Sequence, residues 1–149
     1  MKTAFDPAMR EQLLIRIEQL HENSLPLWGK MNVRQMLMHC RLWEEMVVGR
    51  LKTKRIFMGY LFGKMAMRSL FQKNDPLPRN AISAPELIVT GAGAPDIERE
   101  KRAWMRLIES HAHFSNEGFI HPFFGKMERE QIGRMIYKHA DHHLRQFNC

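Results

Sequence analysis

The sequence predicts an all-α fold, a four-helix bundle with an extra short helix in its long crossover. Three observations predict it. Apolar residues recur at helical spacing in four long segments. Capping and breaking residues bracket those segments. No segment alternates well enough to be read as a strand. The chain has 149 residues and 17.7 kDa, of which 44% are hydrophobic and 26% charged, so one domain spanning 1–149 with a sizeable core is expected and general disorder is excluded.

The first helix is expected to begin at Asp6-Pro7, a capping residue followed by proline at the first helical position. Leu13, Leu14, Ile17 and Leu20 form its apolar stripe, and it should stop before Asn23-Ser24-Leu25-Pro26. The second starts at Asn32, with Gln35 at capping-box spacing, carries Met36, Cys40, Trp43 and Val47 on one face, and stops at Gly49. A basic, apolar segment from Leu51 to Lys73 predicts the crossover helix, weakened by Gly59 and Gly63. From Asn74 to Asp96 the chain is punctuated by Pro76, Pro78, Pro85, Gly91, Gly93 and Pro95, a long surface connection. The third long helix runs from about Asp96 to Phe114, with Ile97, Trp104, Leu107, Ile108 and His111 on one face. Asn116 to Gly125 predicts a turn with buried aromatics, and the last helix covers about Glu128 to Phe147.

Two cysteines, Cys40 and Cys149, cannot build a disulfide framework, so a reducing compartment is the default. The opening residues lack the apolar core of a signal peptide. The uncharged run Ile56–Gly63 is far short of the ~20 residues of a span, so a cytoplasmic protein without a membrane span is expected. A net charge of +7 favours anionic partners: nucleic acid, acidic lipid or small anionic substrates. Nucleic acid is not favoured, because no groove-reading motif accompanies the charge. The basic segment 51–73 admits a membrane-surface reading. The plainer expectation is a lid packed on the bundle with its Lys and Arg in water.

The last helix carries the chemistry. At about 100° per residue, and with Ile132 at zero, Ile136 falls near +40°, His139 near −20°, His143 near +20° and Gln146 near −40°. His139 and His143 therefore stand one turn apart in the middle of the apolar face. Two imidazoles so placed either chelate one transition metal or find hydrogen-bonding partners in the core, since an unpartnered buried nitrogen costs about 1–3 kcal/mol. A third ligand must come from another helix, and His39, roughly 70° from the centre of the second helix's stripe, is the candidate. Three histidines with an open position make a catalytic arrangement, not a closed structural one. The zincin Glu is missing, so protease chemistry is unsupported.

The ending HADHHLRQF, the run GFIHPFFGKMEREQIGRMIYKHADHHLRQF and the phrase LWGKMNVRQMLMHC resemble, over nearly the whole chain, an uncharacterised branch of the DinB-like superfamily of metalloproteins. The resemblance implies an up-down-down-up four-helix bundle and a metal held by one histidine of the second helix and two of the last. In this sequence these are His39, His139 and His143. It also implies thiol-dependent S-transferases and isomerases that use a low-molecular-weight thiol as cosubstrate, and bundles that often pair as homodimers. The open fourth position itself motivates a metal-dependent transferase or hydrolase that acts on a small molecule by activating a thiol or a water. The alternative is a non-enzymatic metal- or ligand-binding stress protein. Three histidines suit zinc, nickel, iron or cobalt, and affinity order alone does not decide among them; zinc or nickel is expected first and iron next.

Three further residues are candidates to support or line that site. His121, in HPFFG, reads first as part of a tight entry to the last helix. His142, near −80°, reads as a solvated flank that can reach the mouth. Gln146 shares the histidine face and reads either as a hydrogen-bonding partner for water or substrate or as packing. Asp141 points outward, and Cys40 reads as core because its neighbour His39 points about 100° away. Trp28 and Trp43 read as packing, Trp43 near the site.

Overall fold

A computed structural model of the chain describes residues 1–72, 76–79, 81–91 and 96–149. Lys73, the expected end of the crossover helix, and Asn74, Gly93 and Pro95 of the connection lie outside them. Among the described residues there are five α-helices: α1 Pro7–Glu18, α2 Val33–Val47, α3 Phe57–Gln72, α4 Ile97–Ser110 and α5 Arg129–Gln146. Short 3₁₀ turns occupy Pro85–Leu87 and His111–His113, and β1 Ile120–His121 pairs antiparallel with β2 Gly125–Lys126. No helix among these residues is long and apolar enough to cross a membrane.

Local chemistry sets the helix starts. The Asp6 carboxylate accepts the Ala8 N–H at 2.9 Å to open α1, and Asp96 accepts the Arg99 N–H at 2.9 Å to open α4. Asn32 and Gln35 form the reciprocal capping box expected for α2: the Asn32 side chain accepts from Gln35 N, and Gln35 Oε1 accepts from Asn32 N. Gly49, at φ +85°, ends that helix region in a conformation suited to glycine.

Helix α2 packs on α4 and α5, and α1 packs on the same two helices. Their shared core holds Leu13 and Ile17 of α1, Met36 and Leu37 of α2, Trp104 and Ile108 of α4, and Ile132, Ile136 and Leu144 of α5, all with essentially no exposure. Some polar groups inside it are partnered, whereas Trp104 Nε1, Glu44 Oε1 and His111 Nδ1 have no hydrogen-bond partner among the described residues. Glu44 of α2 and His111 after α4 bond at 2.7 Å with both side chains fully buried. The Lys101 ammonium donates to the carbonyls of Glu18 and Leu20, closing the C-terminal end of α1 from α4.

Two expectations need correction. The crossover element is not short: α3 has 16 residues against 12 for α1. It starts at Phe57 rather than Leu51 because the preceding backbone is tied elsewhere. Lys54 N donates to Glu86, and Ile56 N to the Pro122 carbonyl, so neither N–H is free for a helical ladder. A hairpin stands where only a turn was expected. Its two-residue strands are too short to show any alternation in sequence.

The hairpin explains the two glycines of α3. A Cβ on Gly59 or Gly63 would lie 2.3 or 2.2 Å from the Phe123 carbonyl oxygen, so only glycine lets α3 sit on this turn. A helix-interior Gly→Ala change gains about 1 kcal/mol in propensity, but overpacking against backbone costs about 1–3 kcal/mol, so the clash wins. Gly63→Ala should therefore lower the thermal midpoint by several degrees. A rise in the midpoint would show that α3 does not dock on the hairpin.

Candidate metal centre

His39 comes from the middle of α2, and His139 and His143 from successive turns of α5. All three are buried, at 7%, 7% and 6% exposure. One ring nitrogen of each lies within 4.8 Å of the other two. The Nε2 atoms of His39 and His139 are 3.3 Å apart. Two nitrogens at zinc-like distances of about 2.0–2.1 Å, in tetrahedral directions, are separated by about 3.3 Å. Three buried histidines this close together can hold a metal ion.

The rings are set for it by backbone and side-chain acceptors. His39 Nδ1 donates to the Leu87 carbonyl at 2.8 Å, which fixes the proton there and leaves Nε2 as a bare lone pair. His143 Nδ1 donates to Gln146 Oε1 at 2.9 Å, again freeing Nε2. Gln146 is held in that sense because its Nε2 donates to the Trp28 carbonyl at 2.8 Å. The turn that brings Trp28 there passes through Gly29, at φ +82°, where a Cβ would meet Gln146 Nε2 at 2.7 Å. His139 is oriented differently. It stacks on Trp43 at 4.1 Å and 12°, and its Nδ1 has no hydrogen-bond partner among the described residues.

The electrostatics favour neutral imidazoles, the form that binds metal. Burial pushes His39 down, partly offset by its bond to the Leu87 carbonyl. Burial, and then the neighbouring His39, brings His143 down to about 3. Burial, followed by His143 and His39, holds His139 well below the ordinary histidine range.

The cluster faces a cavity of about 590 Å³. Its walls are mainly apolar, with Trp28, Trp43, Met46, Leu70 and Phe123 among them. The Arg79 guanidinium stands 4.3 Å over the Trp28 ring, and Arg79 also lines the cavity. No Asp or Glu among the described residues lines it.

The structure brings His121, His142 and Gln146 to the same cavity. Gln146 is a support for His143, as its bonds show. His121 has a structural role in the turn that precedes the last helix. Its Nδ1 accepts the N–H groups of Phe123 and Phe124 at 3.1 and 3.2 Å, so it closes the hairpin turn, and its neutral ring carries the proton on Nε2. Burial, and then the Arg55 charge, brings it down to about 3. His142 is not a solvated flank. It is 8% exposed and stands edge-on to Trp28 at 5.7 Å, because the 26–30 segment folds back over α5 with Leu27 N donating to the Gln146 carbonyl. Asp141 pairs with Arg16 and Arg145, away from the ligands. Cys40 is fully buried core.

Sequence reasoning missed the Leu87 and Trp28 carbonyls. These are backbone groups presented by loops, and no residue type announces them. The stacking of Trp43 on His139 was closer to hand: Trp43 lies four residues after His39, one turn along the same helix.

The buried histidines set a pH dependence. An unfolded imidazole titrates near 6.5, whereas His121 and His143 titrate near 3 when folded. Below pH 6.5 the unfolded chain binds more protons, so this stability is intact above 6.5 and is lost as pH falls toward 3. Thermal midpoints of the metal-free protein should drop between pH 6.5 and 5, above the range in which carboxylates titrate. A flat profile there would contradict the neutral buried cluster.

Comparison with known proteins finds no matching curated protein and no matching solved structure. A family model, described as protein of unknown function (DUF1569), matches residues 6–149, and the chain therefore belongs to the DUF1569 family.

Proposed function

We propose that the protein is a metal-dependent enzyme with a three-histidine site acting on a small molecule, a thiol-dependent S-transferase or a hydrolase. One observation carries the proposal: three buried ring nitrogens converge at a cavity of about 590 Å³. A closed structural site would have no such space beside it. The cavity falls in the range of small-molecule sites, and its apolar walls suit a substrate with an apolar body. The packing of α1 and α2 on α4 and α5 supports a DinB-like, up-down-down-up four-helix bundle. The free Cys40 and Cys149 fit a cytoplasmic setting.

His39, His139 and His143 would hold the ion, zinc or nickel first and iron next. The ion would supply the Lewis acidity that lets a thiol or a water act as nucleophile near neutral pH. The chain's own residues do the rest. The Leu87 carbonyl and Gln146 aim two of the imidazoles and keep their Nε2 atoms unprotonated. His121 offers an Nε2–H at the cavity wall to an acceptor on the substrate. The mainly apolar walls surround a bound substrate with low polarity.

A second reading is a non-enzymatic metal- or ligand-binding protein. The observation that favours it is the lack of any described carboxylate on the cavity wall to serve as a general base.

Elemental analysis of untagged protein tests the site. About one metal per chain is expected, and His143→Ala should abolish it. Gln146→Leu should keep the fold and weaken the metal about 10–100-fold, the usual effect of losing a ligand's supporting hydrogen bond. No metal after incubation with zinc, nickel and iron(II) would overturn the proposal. Metal-loaded protein that neither binds a thiol nor turns over a thiol with an electrophile, and that hydrolyses no small-molecule substrate, would leave the binding-protein reading.

A further inference from the structure

The outer side of α3 is unlike the rest of the surface. Only Gly59, Gly63 and Phe71 of its 16 residues are buried. Phe57 is 74% exposed, Tyr60 67%, Leu61 62% and Met65 68%. Met58 and Phe62 are exposed beside them. At about 100° per residue, Leu61, Met65, Met58 and Phe62 fall in one arc of about 100° on the side away from Gly59 and the hairpin, which Ser69 and Gln72 share toward the helix's far end. Lys64 and Arg68 border that arc, with Phe57 between them. Isolated exposed apolar residues are ordinary, but six on one helix form a patch of the kind that marks an interaction site.

Charge selects the partner. Between Glu45 and Asp75 the sequence has no acidic residue and seven Lys or Arg. Among the described residues no carboxylate forms an ion pair with Lys52, Lys54, Lys64 or Arg68, and Arg55 lies over the Tyr60 ring at 4.4 Å. An apolar arc bordered by cations matches the boundary between anionic headgroups and acyl chains. A second copy presenting the same face would bring like charges together. The helix is also fixed in place: its glycines seat it on the Phe123 carbonyl, and the Arg134 guanidinium donates to the Phe71 carbonyl at its far end. A preorganised helix loses little freedom on docking.

We propose that α3 docks the protein on anionic lipid surfaces, with Phe57, Leu61, Phe62 and Met65 entering the interface and Lys64 and Arg68 meeting the headgroups. The same helix walls the cavity with Ala66 and Leu70, so the docking element and the cavity share one structural unit.

Cosedimentation with vesicles tests this on the full chain. The protein should bind phosphatidylcholine–phosphatidylglycerol vesicles at low salt, bind pure phosphatidylcholine at least tenfold more weakly, and be released by high salt. Leu61→Glu should cut binding at least tenfold, and Lys64→Glu with Arg68→Glu should do the same. All of these sites are on the surface, so thermal midpoints and metal content should stay at wild-type values. This separates failure of docking from failure of the metal site. No binding to anionic vesicles would overturn the proposal, as would equal binding to both vesicle types. Self-association in sedimentation that Leu61→Glu abolishes, without vesicle binding, would assign the face to a second copy instead and also overturn it.

Discussion

Three imidazoles buried between two helices impose the constraint on which the site depends. A neutral imidazole has one donor and one acceptor nitrogen, and neither can be left unpaired in a helical core without a cost of about 1–3 kcal/mol. Two of the three solve this in the same way. His39 and His143 donate outward, to the Leu87 carbonyl and to Gln146, and turn their bare Nε2 atoms inward. That turns the two lone pairs inward, toward the His139 ring. A cation can satisfy such a cluster, and burial keeps the rings in the neutral form that binds one.

Much of the surrounding structure serves those outward bonds. The 3₁₀ turn at Pro85–Leu87 exists in the crossover, and its last carbonyl is the acceptor for His39. The segment before α2 folds across the end of α5 so that Trp28 can hold Gln146, and Gly29 provides the close approach. The hairpin at 120–126 closes on His121, supports α3 through the Phe123 carbonyl, and supplies Phe123 and Phe124 to the cavity. Elements far apart in sequence thus meet at one volume, with the ligands on two helices and the supports at the end of α5 and on the loops.

The helices and their starts were legible in the sequence because the signals are local. Asp6-Pro7, Asn32 with Gln35, and Asp96 each act within one turn, and the structure has all three caps. His139 and His143 were legible for the same reason: a pair at i and i+4 must share a face. The burial of His142 was not, since its angle places it on a flank, and it is covered by the returning 26–30 segment and the Leu77 backbone. The start of α3 was missed because tertiary acceptors at Glu86 and Pro122 take the N–H groups of residues 54 and 56. Gly59 and Gly63 looked like weaknesses in a helix. They are the point where a distant turn touches it, which no local rule contains.

Nitrogen-15 NMR of the histidine rings, on metal-free protein and through a zinc titration, tests the central claim most directly. His39 and His143 should carry their proton on Nδ1 before metal is added, and the Nε2 resonances of His39, His139 and His143 should shift together at one equivalent of zinc. Protons on Nε2 of His39 and His143, with no shift on titration, would contradict it.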